Sequence, residues 1–383
     1  MRIVADENIP YVQEAFGRLG SVRTVAGRSM TGEDVADADV LLVRSVTRVD
    51  DALLGGSGVR FVGTATIGTD HVDTDVLASR EIAFASAAGS NANSVAEYVM
   101  AQLLILGDRL GIDWAGRTIG VVGVGNIGRL VVRNAGAMGM RVLQNDPPRA
   151  RAEGAETFVD LDAVCGECDV ITLHVPLIRE GPDRTMHLFD GDRLAGLRPG
   201  TILFNSARGA AVDNGALRDA LGAGRHEGAC LDVWEREPDI DVDLLKRVAI
   251  GTPHIAGYSF DGKVAGTKML FDAVCRTFAV DETWDPAECL PAPTVPRIEI
   301  DVSGRRDQDV LREVVRRVYD LEADDARLRD IIDLPAEDRG RQFDALRKEY
   351  PVRREFYNTH VALAGGTEVL RQTLATWGFR VES

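Results

Sequence analysis

The chain has 383 residues, 45% of them hydrophobic and 27% charged, a soluble globular balance whose length suits two or three domains better than one core. A net charge of −16 argues against a nonspecific grip on nucleic acid or an anionic membrane, so any anionic substrate needs a local basic cluster. No run reaches the ~18 consecutive apolar residues of a membrane span, and MRIVADENIP reads as a strand without the layout of a secretion signal, so a cytoplasmic protein is expected.

Residues 2–86 alternate strands with helical or turn segments: RIVADENI, a helical YVQEAFGRLG, then SVRTVAG, DVLLVRS, VRFVGTA and IAFASA as strands. The apolar segment Asn93–Leu106 predicts a helix long enough to bridge two domains. A second α/β unit follows, with strands near Thr118, Arg141, Val170, Thr201, Gly228 and Val248. A helical pattern over Gly257–Phe278 should return to the first unit, so that two crossings frame a cleft. Beyond Asp281, LPAPTVP reads as a linker, and 297–383 as a strand, an amphipathic helix, a polar loop and a last αβ piece. The helix near Gln308–Leu321 sets Val310, Leu311, Val314, Val315, Val318 and Leu321 at helical spacing, which suits packing against another surface. The expected fold is α/β, with two Rossmann-like doubly wound parallel-sheet domains and a cleft between them, plus a C-terminal α+β domain. The expected boundaries are 1–93 with 257–280, then 94–256, then 281–383.

The second unit opens on a dinucleotide fingerprint. Thr118–Val122 is a short buried strand, Gly123-Val124-Gly125-Asn126-Ile127-Gly128 gives GxGxxG at the turn into a helix, and Asp146 ends the next strand, Met140–Gln144. The glycines permit a tight turn, approach to a pyrophosphate and close helix packing, with the phosphates over the helix N-terminus. Asp146 should hold the ribose hydroxyls and repel the extra phosphate of NADP, which makes NAD the expected cofactor. Arg149 is the exception to weigh, since an arginine there can accommodate that phosphate.

Three residues after the fingerprint have dehydrogenase chemistry: Arg208 in LFNSARGAAVD, Glu237 in LDVWEREP and His254 in GTPHIAGYS. Each follows a strand, and in a doubly wound sheet the strand ends face the ligand crevice. Oxidising an alcohol needs a base, and histidine is the side-chain type suited to that work near neutral pH, which singles out His254. Glu237 would hold the imidazole, and Arg208 would clamp a carboxylate and polarise the developing carbonyl. Taken singly, each has a structural or solvated reading. The five cysteines are scattered, Cys165 and Cys168 form a CxxC with no second pair, and neither a disulfide framework nor a metal site is expected. His71, His187, His226 and His360 read as structural.

Together the fingerprint, SARGAAVD, LDVWEREP and TPHIAG resemble the D-2-hydroxyacid dehydrogenases. The wording DENIPY, VRSVTRV, VGTATIGTDHVD, HIAGYSFDGK, LPAP and FDALRKEYPVRRE narrows the likeness to a branch acting on a phosphorylated four-carbon hydroxy acid. The resemblance implies that Ser45, Thr66 and Tyr258 contact substrate and that Ser206, Ala207, Arg208, Asp232 and Gly257 line the NAD site, with His174 and Val175 at its edge. It also implies a homodimer built on the C-terminal domain. Without it, Ser45 and Thr66 read as helix caps and Tyr258 as a core aromatic. A substrate phosphate needs its own cations, offered by Arg44 or by the cluster Arg347, Lys348, Arg353 and Arg354. Arg44 is preferred, because it follows a buried strand and should point towards the cleft, where bidentate contact with phosphate is favourable, whereas the cluster also reads as an exposed basic face. The rival readings are a phosphoglycerate or glycerate dehydrogenase and, from another class, an NAD-sensing corepressor.

Overall fold

The computed structural model describes residues 1–224 and 228–382, and every strand pairing among them is parallel. The chain forms two compact units, each assembled from two stretches of sequence.

The first unit comprises residues 1–91 and 259–292. Its sheet runs β2 (Ser21–Val25), β1 (Arg2–Asp6), β3 (Val40–Val43), β4 (Phe61–Thr64), β5 (Ala83–Ser86). The order reverses between β1 and β3, the point at which an open α/β sheet leaves a crevice beyond its carboxyl ends. VLLV and FVGT are buried at every position, the signature of strands covered on both faces. The helix Phe260–Phe278 supplies Val264, Leu270, Phe271 and Val274 to the core with Phe16 and Phe61. It starts three residues later than the sequence pattern suggests. Ser259 is its N-cap, accepting from the Gly262 amide at 3.0 Å, which leaves Gly257 and Tyr258 in the preceding loop.

The second unit comprises 92–258 and 293–383. Its main sheet runs β11 (Ile250–Gly251), β10 (Gly228–Leu231), β9 (Ile202–Asn205), β8 (Val170–Leu173), β6 (Thr118–Val122), β7 (Arg141–Asn145). Here the reversal lies between β6 and β8, so the fingerprint turn stands at the switch point. A smaller sheet joins β12 (Arg297–Asp301), β13 (His360–Ala364) and β14 (Arg380–Glu382). β12 alternates exposed and buried residues, as a sheet covered on one face requires.

The stripe Val310, Leu311, Val314 and Val315 on the helix Asp307–Val318 is buried in one core with the helix Ala92–Leu110 and with Leu321, Leu370, Leu374 and Trp377. The surface it packs against is the chain's own. That continuous core places residues 293–383 in the same unit as the nucleotide-binding sheet.

Candidate active site

The fingerprint is built by close approach. Gly123 has φ 86°, and a Cβ there would lie 2.7 Å from the His174 carbonyl oxygen at the end of β8. A Cβ on Gly128 would lie 2.0 Å from the Gly123 oxygen, so only glycine lets the helix Gly128–Ala137 begin against the turn. Gly125 and Asn126 are exposed, nothing lies within 4 Å of the Cβ position at Gly125, and Ile127 occupies the helix N-cap. The turn is thus open where a pyrophosphate would approach a helix N-terminus.

Asp146 follows β7 as the N-cap of the next helix, with both carboxylate oxygens engaged, Oδ2 by the Val124 amide at 2.8 Å and Oδ1 by the Arg149 amide at 3.1 Å. It braces the loop after β6 while each oxygen keeps a lone pair for a ribose hydroxyl. Arg149 donates to both oxygens of Glu153, at 2.7 and 2.6 Å, and to the Val124 carbonyl at 2.5 Å. Its guanidinium is therefore occupied, and receiving a 2′-phosphate would require breaking these bonds.

Two buried polar atoms flank the turn without a partner among the described residues. His174 follows β8 with Nε2 at 3.0 Å from the Thr172 hydroxyl and Nδ1 orphaned, and Ser206 follows β9 with its hydroxyl orphaned. Burial lowers the His174 pKa to about 3, which keeps the ring neutral. Unpaired buried donors or acceptors are costly, and their position at the ends of neighbouring strands beside the fingerprint fits a dinucleotide. Val175 packs its side chain toward Gly123.

The three catalytic candidates lie on loops of the same unit. His254 Nδ1 is 2.8 Å from Glu237 Oε2, and Glu237 Oε1 accepts from the Trp234 amide at 2.8 Å. Burial opposes charge on Glu237, but His254, the Trp234 amide and Arg347 outweigh it and hold the carboxyl below its usual range. With Nδ1 committed to the carboxylate, Nε2 is the ring nitrogen left for substrate. Arg208 follows β9 in extended backbone, donating to the Ala207 carbonyl at 2.8 Å, while Asn205 fixes the turn through the Ala207 amide and the Arg208 carbonyl. A Cβ on Gly209 would lie 2.0 Å from the Trp234 oxygen, so glycine lets the Arg208 turn touch the segment that leads to Glu237.

Asp232 is 1% exposed, and its carboxylate accepts from the Thr252 hydroxyl and from the Ile255 and Ala256 amides. Burial raises its pKa and these donors oppose that rise. Its visible work is to hold the loop that carries His254, Gly257 and Tyr258, in addition to any contact with cofactor. Thr252 extends the chain to the Tyr98 hydroxyl at 2.6 Å. Neither partner stood out in the sequence, because a buried hydroxyl has no pattern of its own.

In the first unit, Arg44 and Ser45 follow β3 and Thr66 follows β4. The Thr66 hydroxyl is 2.8 Å from that of Thr64, which is 2.9 Å from His71 Nε2, so His71 orients a proposed substrate contact. His187 pairs with Glu235 at 2.7 Å, His360 faces Glu382 at 3.6 Å, and His226 lies outside the described residues. Cys165 and Cys168 are buried free thiols, with Cys168 pushed up to about 12 by burial. Among the described residues no cluster of three metal-ligating side chains occurs and no helix is long and apolar enough to cross a membrane.

The basic cluster is not an exposed face. Arg353 and Arg354 are buried, Arg347 is mostly buried, and only Lys348 is exposed. Arg353 donates to the Ala256 carbonyl and to Ser94, faces Glu97 at 4.0 Å and stacks on Tyr319 at 4.1 Å, while Arg354 bonds Asn358. Internal partners explain the burial that a charge run alone does not suggest.

Comparison with known proteins agrees with this geometry. Residues 84–256 match the D-isomer specific 2-hydroxyacid dehydrogenase NAD binding domain, and residues 289–378 match a domain of unknown function. Erythronate-4-phosphate dehydrogenase from Azotobacter vinelandii is 49% identical over 99% of both chains, and the enzyme of that name from Klebsiella pneumoniae is 47% identical over 97% of both. The D-lactate dehydrogenase of Aquifex aeolicus, solved with NAD and lactic acid, is 25% identical with a TM-score of 0.60, covering 73% of this chain and 96% of its own. The chain therefore belongs to the erythronate-4-phosphate dehydrogenases, a family of NAD-dependent oxidoreductases within the D-2-hydroxyacid dehydrogenases.

Proposed function

We propose that this chain oxidises 4-phospho-D-erythronate to (R)-3-hydroxy-2-oxo-4-phosphooxybutanoate, a step towards pyridoxal 5′-phosphate. The observation that carries the catalytic assignment is the 2.8 Å contact between His254 Nδ1 and Glu237 Oε2, which orients Nε2 and favours the imidazolium formed in the reaction. His254 takes the proton of the C2 hydroxyl. Arg208 clamps the substrate carboxylate and polarises the oxygen that becomes the ketone. Bound NAD supplies the hydride acceptor. Ser206, Ala207, Asp232 and Gly257 line its site with the fingerprint, while Ser45, Thr66, Tyr258 and Arg44 contact substrate.

The proposed division of labour is substrate binding by 1–93 with 257–280, NAD binding by 94–256 and dimerisation by 281–383, in a cytoplasmic homodimer. Support for a dimer surface is the exposure of Val352, Tyr357 and Val369 in the C-terminal segment. Sedimentation of the full chain tests it. Turnover of phosphoerythronate, against 3-phosphoglycerate and D-glycerate, tests the activity; a preference for either rival substrate assigns another 2-hydroxyacid dehydrogenase, and no turnover at all favours an NAD sensor.

A further inference from the structure

The helix Ala336–Lys348 lies in the domain of unknown function, yet it is packed against the catalytic loops. Phe343 is fully buried in one core with Trp234, Ile240 and Leu244, and a Cβ on Gly340 would lie 2.6 Å from an Asp239 carboxylate oxygen. Gly340 and Phe343 seat the helix on the segment that follows Glu237. One turn further on, Arg347 places its guanidinium 5.8 Å from the centroid of the Tyr258 ring, hydrogen-bonds Tyr258, and sits close enough to Glu237 to act on its charge.

The hydrogen bonding of Arg347 is incomplete. Its side chain is 19% exposed, and among the described residues its ion pair is with Asp344 at 3.9 Å while its Nε is buried without a hydrogen-bond partner. Buried cations are ordinarily paired and fully hydrogen-bonded, because desolvating them is costly. Glu237 acts on Arg347 through its charge, and among the described residues no hydrogen bond or close ion pair joins the two. What remains is a guanidinium beside Tyr258 with donors to spare, in a strongly acidic protein whose proposed substrate carries two anionic groups.

We propose that Arg347 binds the phosphate of the substrate, so that the C-terminal domain contributes a specificity-determining residue to the active site. Arg208 is committed to the carboxylate end and His254 to the C2 hydroxyl, while the phosphate lies two carbons beyond C2. A planar guanidinium suits two phosphate oxygens at once. The inference rests on the reading of phosphoerythronate as substrate, and it assigns this domain a role in substrate choice.

The test is steady-state kinetics with 4-phospho-D-erythronate and with D-erythronate, for wild type, Arg347→Met and Arg347→Lys, together with competitive inhibition by inorganic phosphate. Loss of a charge-assisted contact of about 2 kcal/mol predicts that KM for the phosphorylated substrate and Ki for inorganic phosphate each rise about 30-fold in Arg347→Met. The loss with D-erythronate should be several times smaller, and Arg347→Lys should fall between. Equal losses on both substrates, an unchanged Ki for phosphate, or a moved acid limb with KM intact would each overturn the proposal, the last by making Arg347 a positioning residue for Glu237. If Arg347→Met does not fold, the Ki for phosphate in Arg347→Lys decides the matter. A wild type that does not prefer the phosphorylated substrate contradicts the functional reading itself, before any variant is compared.

Discussion

Asp232 holds His254 by both its backbone and its side chain. The His254 amide donates to the Asp232 carbonyl at 2.7 Å, and the Asp232 carboxylate accepts the next two amides, Ile255 at 2.7 Å and Ala256 at 3.0 Å. His254 itself has φ 58°, a left-handed conformation that costs a non-glycine residue on the order of 1 kcal/mol. The strained backbone aims the ring at Glu237, and a buried carboxylate keeps it there.

Asp232→Asn should therefore harm both fold and rate. One oxygen becomes a donor facing amides that need acceptors, at a cost of about 2 kcal/mol or more. Urea denaturation should show that loss, with kcat falling alongside it. Unchanged stability would show that the carboxylate does not brace the loop.

Glu237→Gln removes the anion 2.8 Å from the imidazole. The ring then loses its orienting partner as it takes the proton, so kcat/KM should fall and its acid limb should shift. The same pair has a stability signature. Because the Glu237 carboxyl is held below its ordinary range, its contribution is present above the unfolded carboxylate pKa of about 4.3 and is lost as pH falls through the lowered value. Denaturation of wild type and variant across pH 3 to 7 should converge at the acid end; a constant gap would assign the difference to packing.

Asp146→Ala should weaken NAD and narrow its advantage over NADP, since ribose contact and repulsion disappear together. The loss should also loosen the turn, because the Val124 amide gives up its acceptor. Wild-type use of NADP as readily as NAD, measured by kcat/KM, would remove Asp146 from cofactor choice.

Arg44→Ala should raise KM for phosphoerythronate well above its effect on an unphosphorylated hydroxy acid, if Arg44 shares the phosphate. Equal losses on the two substrates would place it in the fold or at the carboxylate.

The parts of the site that were legible in the sequence are those where geometry leaves one residue type. Gly123 and Gly128 sit where any Cβ collides with backbone, and Arg208 and His254 follow buried strands of one parallel sheet. What remained hidden depends on distant partners. The stripe from Val310 to Val315 announced that a face is covered but not by what, and the cover proved to be the helix Ala92–Leu110 of the same chain. Arg347 was one member of a charge run until the seating of Phe343 turned it toward Tyr258, and Thr252 and Tyr98 became visible only through Asp232.

That shared core bears on truncation. A chain ending near Asp281 would strip Val310, Leu311, Val314 and Trp377 from the helix Ala92–Leu110 and expose its apolar face. It should be insoluble or aggregated in sedimentation. A stable, monodisperse dimer from that fragment would rule out the C-terminal segment both as part of this core and as the principal dimer interface.

The central claim, that His254 is the base of an NAD-dependent oxidation, is tested most directly by steady-state turnover of 4-phospho-D-erythronate in wild type and His254→Ala, with NAD binding measured in both. The account predicts a fall in kcat of about 10²-fold or more with NAD affinity nearly unchanged. Near-wild-type turnover in His254→Ala would contradict it.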